Sequence, residues 1–323
     1  MTRNANSKIE AIKSGKFGVE VEMYDITRER AAIVLGNFFN TVSTVRRGDT
    51  YSRWTVLDRQ GRKWQFLSDS SIHDCHGGCE LVTPVLGYED MELLQEVIRE
   101  LRKAGAKSDP NHDCGVHVHV DASAQTPKSL RTLTNLIASH EQLIKTAIRV
   151  DSQRDRWCAA VNSNFLSEIN KKKPTTMDGV KTVWYESQGY TTRCANDHYN
   201  SSRYHLLNLH SLWQEKGIEF RCFQFSNPTT ERKGGLHAGE LKAYIQLCLA
   251  ICEMAKASTG ARHKVSNTQV ENPKYAMKSF LNRLGFEGEE FKTARDLFTK
   301  DLEGTSTRRR ATTATENTVA TVA

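Results

Sequence analysis

The heptapeptide Gly115-Val116-His117-Val118-His119-Val120-Asp121 decides how the chain is read, because its valines and its polar residues strictly alternate. On a β-strand, residues i and i+2 share a face about 7 Å apart, so His117, His119 and Asp121 line one side and the valines the other. The pattern recurs in two further places. Gly18-Val19-Glu20-Val21-Glu22-Met23 sets paired carboxylates on one face, and Ile218-Glu219-Phe220-Arg221-Cys222 sets an acid beside a base. Such strands predict one sheet carrying a wall of metal-ligand-type groups, which suits divalent ions and phosphates.

Working outward, the rest of the chain reads as an antiparallel-type α+β order. Lys16 to Tyr24 is a strand and Thr27 to Asn40 a helix capped by Thr27. Arg53 to Asp58 and Lys63 to Leu67 form a hairpin turning at Arg59-Gln60-Gly61, and Cys79 to Thr83 forms a strand that ends at Pro84. Helical spacing of Met91, Leu94, Val97, Ile98 and Leu101 marks Tyr88 to Ala104, which stops at Gly105. Pro127 to Val150 is a second helix with a buried stripe. Arg203 to Leu209 and Lys216 to Phe225 read as a hairpin, followed by helices at Leu236 to Ala257, Tyr275 to Leu284 and Gly288 to Leu302.

Between these elements, residues from Asp151 to Ser202 are polar with no sustained apolar period, the signature of an irregular functional lid or specificity loop. Beyond Leu302 the chain is Thr/Ala-rich and predicts a disordered tail. Composition agrees with a folded protein: 323 residues at 38% hydrophobic content can bury a sizeable core. Neither a secretory h-region nor an apolar run of about 18 residues occurs, so no membrane association and a cytoplasmic setting are expected. In that setting the eight cysteines are expected as reduced thiols. The formal charge of +7 resides partly in Lys171-Lys172-Lys173 and Arg308-Arg309-Arg310, which read as solvated runs. No helix-turn-helix, finger or stacking motif supports nucleic-acid binding, so a phosphate-bearing small ligand is the better recipient of that charge.

Each polar pair has two readings. Glu20 and Glu22 suit a hard cation, or form an ordinary acidic strand face. His117 and His119 suit zinc or a phosphate, or sit as satisfied histidines on a half-buried sheet. Glu219 and Arg221 can neutralise phosphoryl charge near an ion, or pair as a plain salt bridge. Three such strands in one chain favour the functional reading of the set. A further run, His73, Cys75, His76 and Cys79 followed by His112 and Cys114, carries zinc-type ligands without C-x2-C spacing. Asp69, ending the hairpin strand, is an active-site acid or a turn-forming Asp. Arg154 and Arg156, beside Trp157, are candidates to clamp an acidic substrate.

Together these residues resemble the amidoligase branch of the glutamine synthetase and glutamate-cysteine ligase superfamily of carboxylate-amine ligases. The resembling blocks are Phe17-Gly18-Val19-Glu20-Val21-Glu22, Trp64 through Asp69-Ser70-Ser71, Cys79-Glu80-Leu81-Val82-Thr83-Pro84, Cys114 through Asp121, Arg203-Tyr204 through Leu207-Asn208-Leu209, and Ile218-Glu219-Phe220-Arg221. They come in the family's order. The resemblance implies a curved antiparallel sheet with helices on its convex face, as in the glutamine synthetase catalytic domain, binding ATP and Mg2+ (or Mn2+) on the concave side. It implies phosphorylation of a carboxylate by ATP, then displacement of the phosphate by an amine. Carried over, Glu20, Glu22, Glu80, His117 and Glu219 are metal ligands, and His117, His119 and Arg221 contact nucleotide phosphate. Arg221, Arg203 and Glu219 form the catalytic set.

The expectation is therefore a single catalytic domain over 1–302, with a polar insertion at 151–202 and a tail at 303–323. It would be an ATP-dependent ligase acting on small-molecule, peptide or protein-tail carboxylates and amines. Two alternatives stay open: a zinc hydrolase built on His117 and His119, and a noncatalytic nucleotide- or metal-binding protein. No Gly-rich P-loop is present, so nucleotide binding rests on the resemblance and on strand chemistry.

Overall fold

A computed structural model describes residues 3–48, 52–74, 78–226, 235–260 and 270–307. In chain order the elements are α1 (Arg3–Lys13), β1 (Lys16–Met23), α2 (Arg28–Phe39), β2 (Arg46–Arg47), β3 (Trp54–Leu57), β4 (Lys63–Leu67), β5 (Cys79–Val82), β6 (Leu86–Gly87) and α3 (Met91–Lys103). There follow β7 (Val116–Val120), α4 (Pro127–Ala147), α5 (Ser163–Lys172), α6 (Met177–Glu186), β8 (Leu207–Asn208), β9 (Ile218–Phe223), α7 (Ala238–Ala257), α8 (Pro273–Leu284) and α9 (Lys292–Lys300).

Among the described residues the strands form one nine-stranded sheet in the order β2-β3-β4-β5-β1-β7-β9-β8, with β6 beside β1. All pairs are antiparallel. The alternating stretches thus become neighbours: β1 pairs with β7, and β7 with β9. Their apolar positions, Val19, Val21, Met23, Val116, Val118, Ile218 and Phe220, are all buried in one core with the helices. α7 lies against β7 and touches α1, α3, α4 and α9, and it is apolar on most of its circumference because it is surrounded.

Local chemistry explains where the elements start and stop. The Thr27 hydroxyl accepts from the Arg30 N–H at the start of α2, and Asn40 closes that helix in the left-handed region at φ 59°. Thr126 caps α4 ahead of Pro127. On β9 the pairing shifts register between Val116 and Val118 of β7, so that Arg221 and Cys222 together oppose His117. This bulge restores the alternation, and Phe223 returns to the helix side to stack on Tyr244 at 4.6 Å.

One expectation is corrected, and one helix goes beyond the sequence reading. Residues 151–202 are not an irregular loop, since α5 and α6 pack Phe165, Leu166, Ile169, Val180, Val183, Trp184 and Tyr185 into the main core. Each helix is only 10 residues long, so its apolar stripe is too short to stand out against Lys- and Thr-rich flanks. Helix α1, not anticipated, is held by Ile9 and Ile12 against α7. Of the predicted tail, 308–323, including Arg308-Arg309-Arg310, lies outside the described residues. Among the described residues all cysteines are free, and no helix is long and apolar enough to cross a membrane.

Candidate metal and anion site

Opposite the helices, the polar positions of the strands form the floor of a cleft of about 710 Å³. Register places them in a row. Leu67 of β4 lies opposite Glu80 of β5, Glu80 opposite Glu22 and Glu20 opposite His117 across β1 and β7. His119 lies opposite Glu219 of β9, and Glu219 opposite Asn208 of β8. Of the residues singled out from the strands, Glu20, Glu22, Glu80, His117, His119, Glu219 and Arg221 border this cleft, with Arg203 joining them from beyond the sheet, whereas Asp121 lies outside it and accepts instead from the Ser123 N–H and hydroxyl.

His117 is wedged among carboxylates. Its Nδ1 is 3.1 Å from Glu20 Oε2 and 3.5 Å from Glu219 Oε1, and its Nε2 is 3.7 Å from Glu22 Oε1. Glu22 also accepts the N–H of Gly115. His119 Nδ1 donates to the Lys216 carbonyl at 3.1 Å, which leaves Nε2, 3.3 Å from Glu20 Oε1, aimed at the acids. Gly217, next in the chain, makes that turn possible at φ 78°, with the Val120 carbonyl where a Cβ would lie. Glu219 pairs with Arg221 and accepts from the Asn208 amide. Lys216 Nζ stands 3.9 Å from Glu20.

The electrostatics divide the acids. Burial pushes the Glu20 carboxyl up, but His119 and His117 more than offset it and hold the group well below the usual range. Glu219, buried beside Arg221 and both histidines, is brought down to about 2. Glu80 goes the other way: burial, then Glu20, Glu22 and Asp69, push it well above the ordinary carboxylate value. Burial alone would lower His119, yet Glu20 raises it, so proton and cation compete for its ring.

Ligand atoms converge within 4.8 Å of one another in three overlapping groups: Glu20, Glu80 and His117; Glu20, His119 and Glu219; and Glu22, Asp69 and Glu80. A divalent cation fits them. His119 Nε2 is buried and has no well-aligned hydrogen bond beyond its 3.3 Å approach to Glu20 Oε1, and Glu80 is crowded by negative charge that a cation would relieve. Carboxylate oxygens outnumber imidazoles in every group, a donor set for a hard cation such as magnesium or manganese rather than a zinc site rich in His or Cys.

Asp69 shows that both readings of it coexist: Oδ1 accepts from the Ser71 N–H and hydroxyl, each at 2.8 Å, while the residue joins Glu22 and Glu80. The separate His/Cys run is not assembled. His73 lies 3.4 Å from Asp113, and His112 stacks on Tyr24 and bonds to Asp109. Burial pushes the Cys79 and Cys114 thiols up, disfavouring thiolate. None of these joins a metal-capable group among the described residues, and Cys75 and His76 lie outside them.

The facing wall comes from 152–214. The expected pair of clamping arginines is split: Arg156 is held by both carboxylate oxygens of Asp113 at 2.6 Å, whereas Arg154 is 1% exposed and borders the cleft. Arg203 stands over the rings of Tyr199 and Tyr204, 5.5 and 5.3 Å from their centroids, and Arg221 lies 5.9 Å from the Tyr204 ring. Sequence reading missed Lys216, whose role depends on a carbonyl and an ammonium that carry no local pattern.

A family model described as "Putative amidoligase enzyme" matches residues 13–252. No curated protein matches the chain. Among solved structures, a bifunctional glutathione synthetase from Pasteurella multocida is similar at 14% identity with a TM-score of 0.42, over 93% of this chain and 49% of that one. The chain thus spans about half the length of that structure.

Proposed function

The chain belongs to the amidoligase enzyme family, and on that premise we propose that it is an ATP-dependent carboxylate-amine ligase. The observation that carries this reading is the single row of acids, histidines and arginine across β5, β1, β7 and β9, with three cation-capable groups sharing members. Such a row neutralises and positions phosphates, which is most of what phosphoryl transfer requires. In the proposed reaction a substrate carboxylate oxygen attacks the γ-phosphorus of ATP and ADP departs. An amine nitrogen then attacks the acyl carbon and orthophosphate departs, leaving an amide after loss of a proton.

Glu20, Glu22, Glu80, His117 and Glu219 would hold Mg2+ or Mn2+, which when bound supplies charge neutralisation for the phosphates. Arg221, permanently cationic and fixed by Glu219, faces the transferring phosphoryl group, with His117 and His119 beside the nucleotide phosphates. Arg203 steadies the anion from the opposite wall. In this reading the sheet is of the glutamine synthetase catalytic type with helices on its convex face. Residues 1–302 form one domain, with 151–202 inserted and 303–323 as a tail. The substrates are small-molecule, peptide or protein-tail carboxylates and amines, and the compartment is the cytoplasm.

The test is a thermal-shift titration with ATP, with and without magnesium, on the wild type and Glu20→Gln. At about 100 times its dissociation constant the nucleotide adds about 2.7 kcal/mol of stability. A magnesium-dependent rise is expected that Glu20→Gln and chelation both remove. No response to ATP, together with destabilisation by a zinc chelator, would replace the ligase with a zinc protein.

A further inference from the structure

The cleft-side face of the sheet is closed at one end and open at the other. On β1, β7 and β9 it is enclosed, with Glu22 and Arg221 each 5% exposed. On β2, β3 and β4 it is not. Val56, Trp64 and Phe66 point into the core beneath α2, so the alternation turns Thr55, Leu57, Lys63 and Gln65 to the cleft side, and register adds Arg46 opposite Thr55 and Val82 opposite Gln65. None of these six is buried. Arg53 shares the face of Thr55, because its carbonyl accepts from the Gly48 N–H at 2.6 Å and so continues the β2–β3 ladder. The chain's charge is concentrated here. Residues 46–67 hold six basic side chains against Asp49 and Asp58, a formal +4 of the chain's +7. Asp58 is committed to Arg62 at 2.8 Å, and Arg62 also takes Asp90 at 2.7 Å. Arg46, Arg47, Arg53, Arg59 and Lys63 have no carboxylate within ion-pair distance among the described residues, Arg46 and Arg59 resting instead on backbone carbonyls. Arg46 and Arg53 are diagonal neighbours on adjacent strands, an arrangement that like charges disfavour.

A surplus of cations on an open sheet face is matched by an anionic partner, and the groups between the cations narrow its class. The described aromatic residues of β2–β4, Trp54, Trp64 and Phe66, lie on the helix side, so nucleic-acid bases have no stacking platform on this face. Thr55, Gln65, Leu57 and Val82 mix hydrogen-bonding and apolar surface as a polypeptide does. Gln65 and Val82 also border the cleft, so the face runs without a break towards the acids. We propose that the cleft-side face of β2–β4 docks an acidic stretch of a partner polypeptide whose neighbouring residues lead into the cleft. Lys63 to Leu67 spans about 13 Å and β2 to β4 about 10 Å, room for about four residues of extended chain. Glu80 and the acids beyond it repel the same chain, which confines its acidic part to β2–β4. That the docked chain delivers the group to be ligated rests on the ligase reading above, whereas the docking does not.

A fluorescein-labelled decapeptide of alternating Glu and Ala, and its counterpart with Gln for Glu, are titrated with the full chain and followed by fluorescence anisotropy. The acidic peptide is expected to bind at least about tenfold more tightly than the neutral one. Arg53→Gln combined with Lys63→Gln should weaken the acidic peptide at least about fivefold, whereas Lys171→Gln combined with Lys172→Gln, which removes the same charge from α5, should leave it within about twofold. Equal binding of the two peptides, or equal losses in the two double variants, overturns the proposal. An oligothymidylate of about ten nucleotides, or a phosphatidylserine vesicle, that binds more tightly than the acidic peptide and is weakened only by the Arg53 and Lys63 pair would give the face to a nucleic acid or a membrane and also overturns it. A non-hydrolysable ATP analogue with magnesium should bind the wild type and the Arg53 and Lys63 variant within about twofold of each other. Failure of the analogue to bind either protein strikes the ligase reading alone, and the peptide titration still decides the docking.

Discussion

The floor and the wall of the cleft are charged in opposite ways and stabilised in opposite ways. On the floor, Glu219 and Arg221 pair with each other, Glu20 pairs with two histidines, and the surplus acid, Glu80, is the group whose ionisation is suppressed. On the wall, Arg154 and the indole of Trp157 are buried with donors unused. Regular strands let the floor settle its charges through register, because opposite residues on adjacent strands are held within reach. The wall, made of short helices and turns, holds Arg154 and Arg203 by backbone carbonyls and packing, and only Arg156 by a carboxylate. A cleft acidic on one side and donor-rich on the other has the chemistry to take both a cation and an anion, as the proposed ligase reaction requires.

The comparison breaks most sharply at the arginines. Arg221→Met leaves Glu219 buried without its counter-charge, and should cost about 3–5 kcal/mol in urea denaturation of the ligand-free protein. Arg154→Met removes a cation with no acid to orphan, so it should cost about 1 kcal/mol, the value of one hydrogen bond to the Asp113 carbonyl. Equal costs would erase the distinction between floor and wall.

A second test asks whether the wall is a packed part of the molecule or a loose cover. Trp184 of α6 is 2% exposed and meets Phe165 edge-on at 4.8 Å and Trp213 at 6.5 Å. Trp184→Ala should therefore destabilise the protein by about 3–5 kcal/mol in a single cooperative transition. A loss below about 1 kcal/mol, or a separate early transition, would mean that the wall unfolds on its own.

The smallest effect lies at the junction of the two regions. Glu141 on α4 accepts the Val161 N–H at 2.8 Å, just ahead of α5, and burial raises its carboxyl to about 7. A group whose folded value is above its unfolded value of about 4.5 binds its proton more tightly in the native state. Its stabilising contribution is therefore present below pH 4.5 and lost as pH rises to about 7. Relative to Glu141→Gln, the wild type should lose stability between pH 5 and pH 8 in urea titrations. A flat difference across that range would remove Glu141 as the titrating group.

Much of the floor was legible in the chain because it is written in period-2 alternation, a local property. Glu20, Glu22, His117, His119, Glu219 and Arg221 could each be put on a polar strand face, and each lies in the cleft. Glu80 needed the family resemblance, since a single acid in Cys79-Glu80-Leu81-Val82 carries no pattern of its own. The wall was hidden for physical reasons. Its apolar spacing fills less than three turns in each 10-residue helix, and its polar surface looks like a loop. Arg154 and Arg156, two apart in sequence, look equivalent there, yet Arg156 meets the Asp113 carboxylate while Arg154 reaches only the Asp113 carbonyl and is enclosed beside Gly115.

By itself, then, the sequence determined which side chains share a strand face, where the principal helices begin and which groups have cation or phosphate chemistry. All of that follows from backbone geometry over a few residues. Only the tertiary structure decided that β1, β7 and β9 are neighbours, that Asp69 joins Glu22 and Glu80, and that Arg154 borders the same cleft as the acids. Those placements depend on strand order and on a bulge between segments some 100 residues apart, and pairings over such distances are set by burial of the whole core rather than by local preference.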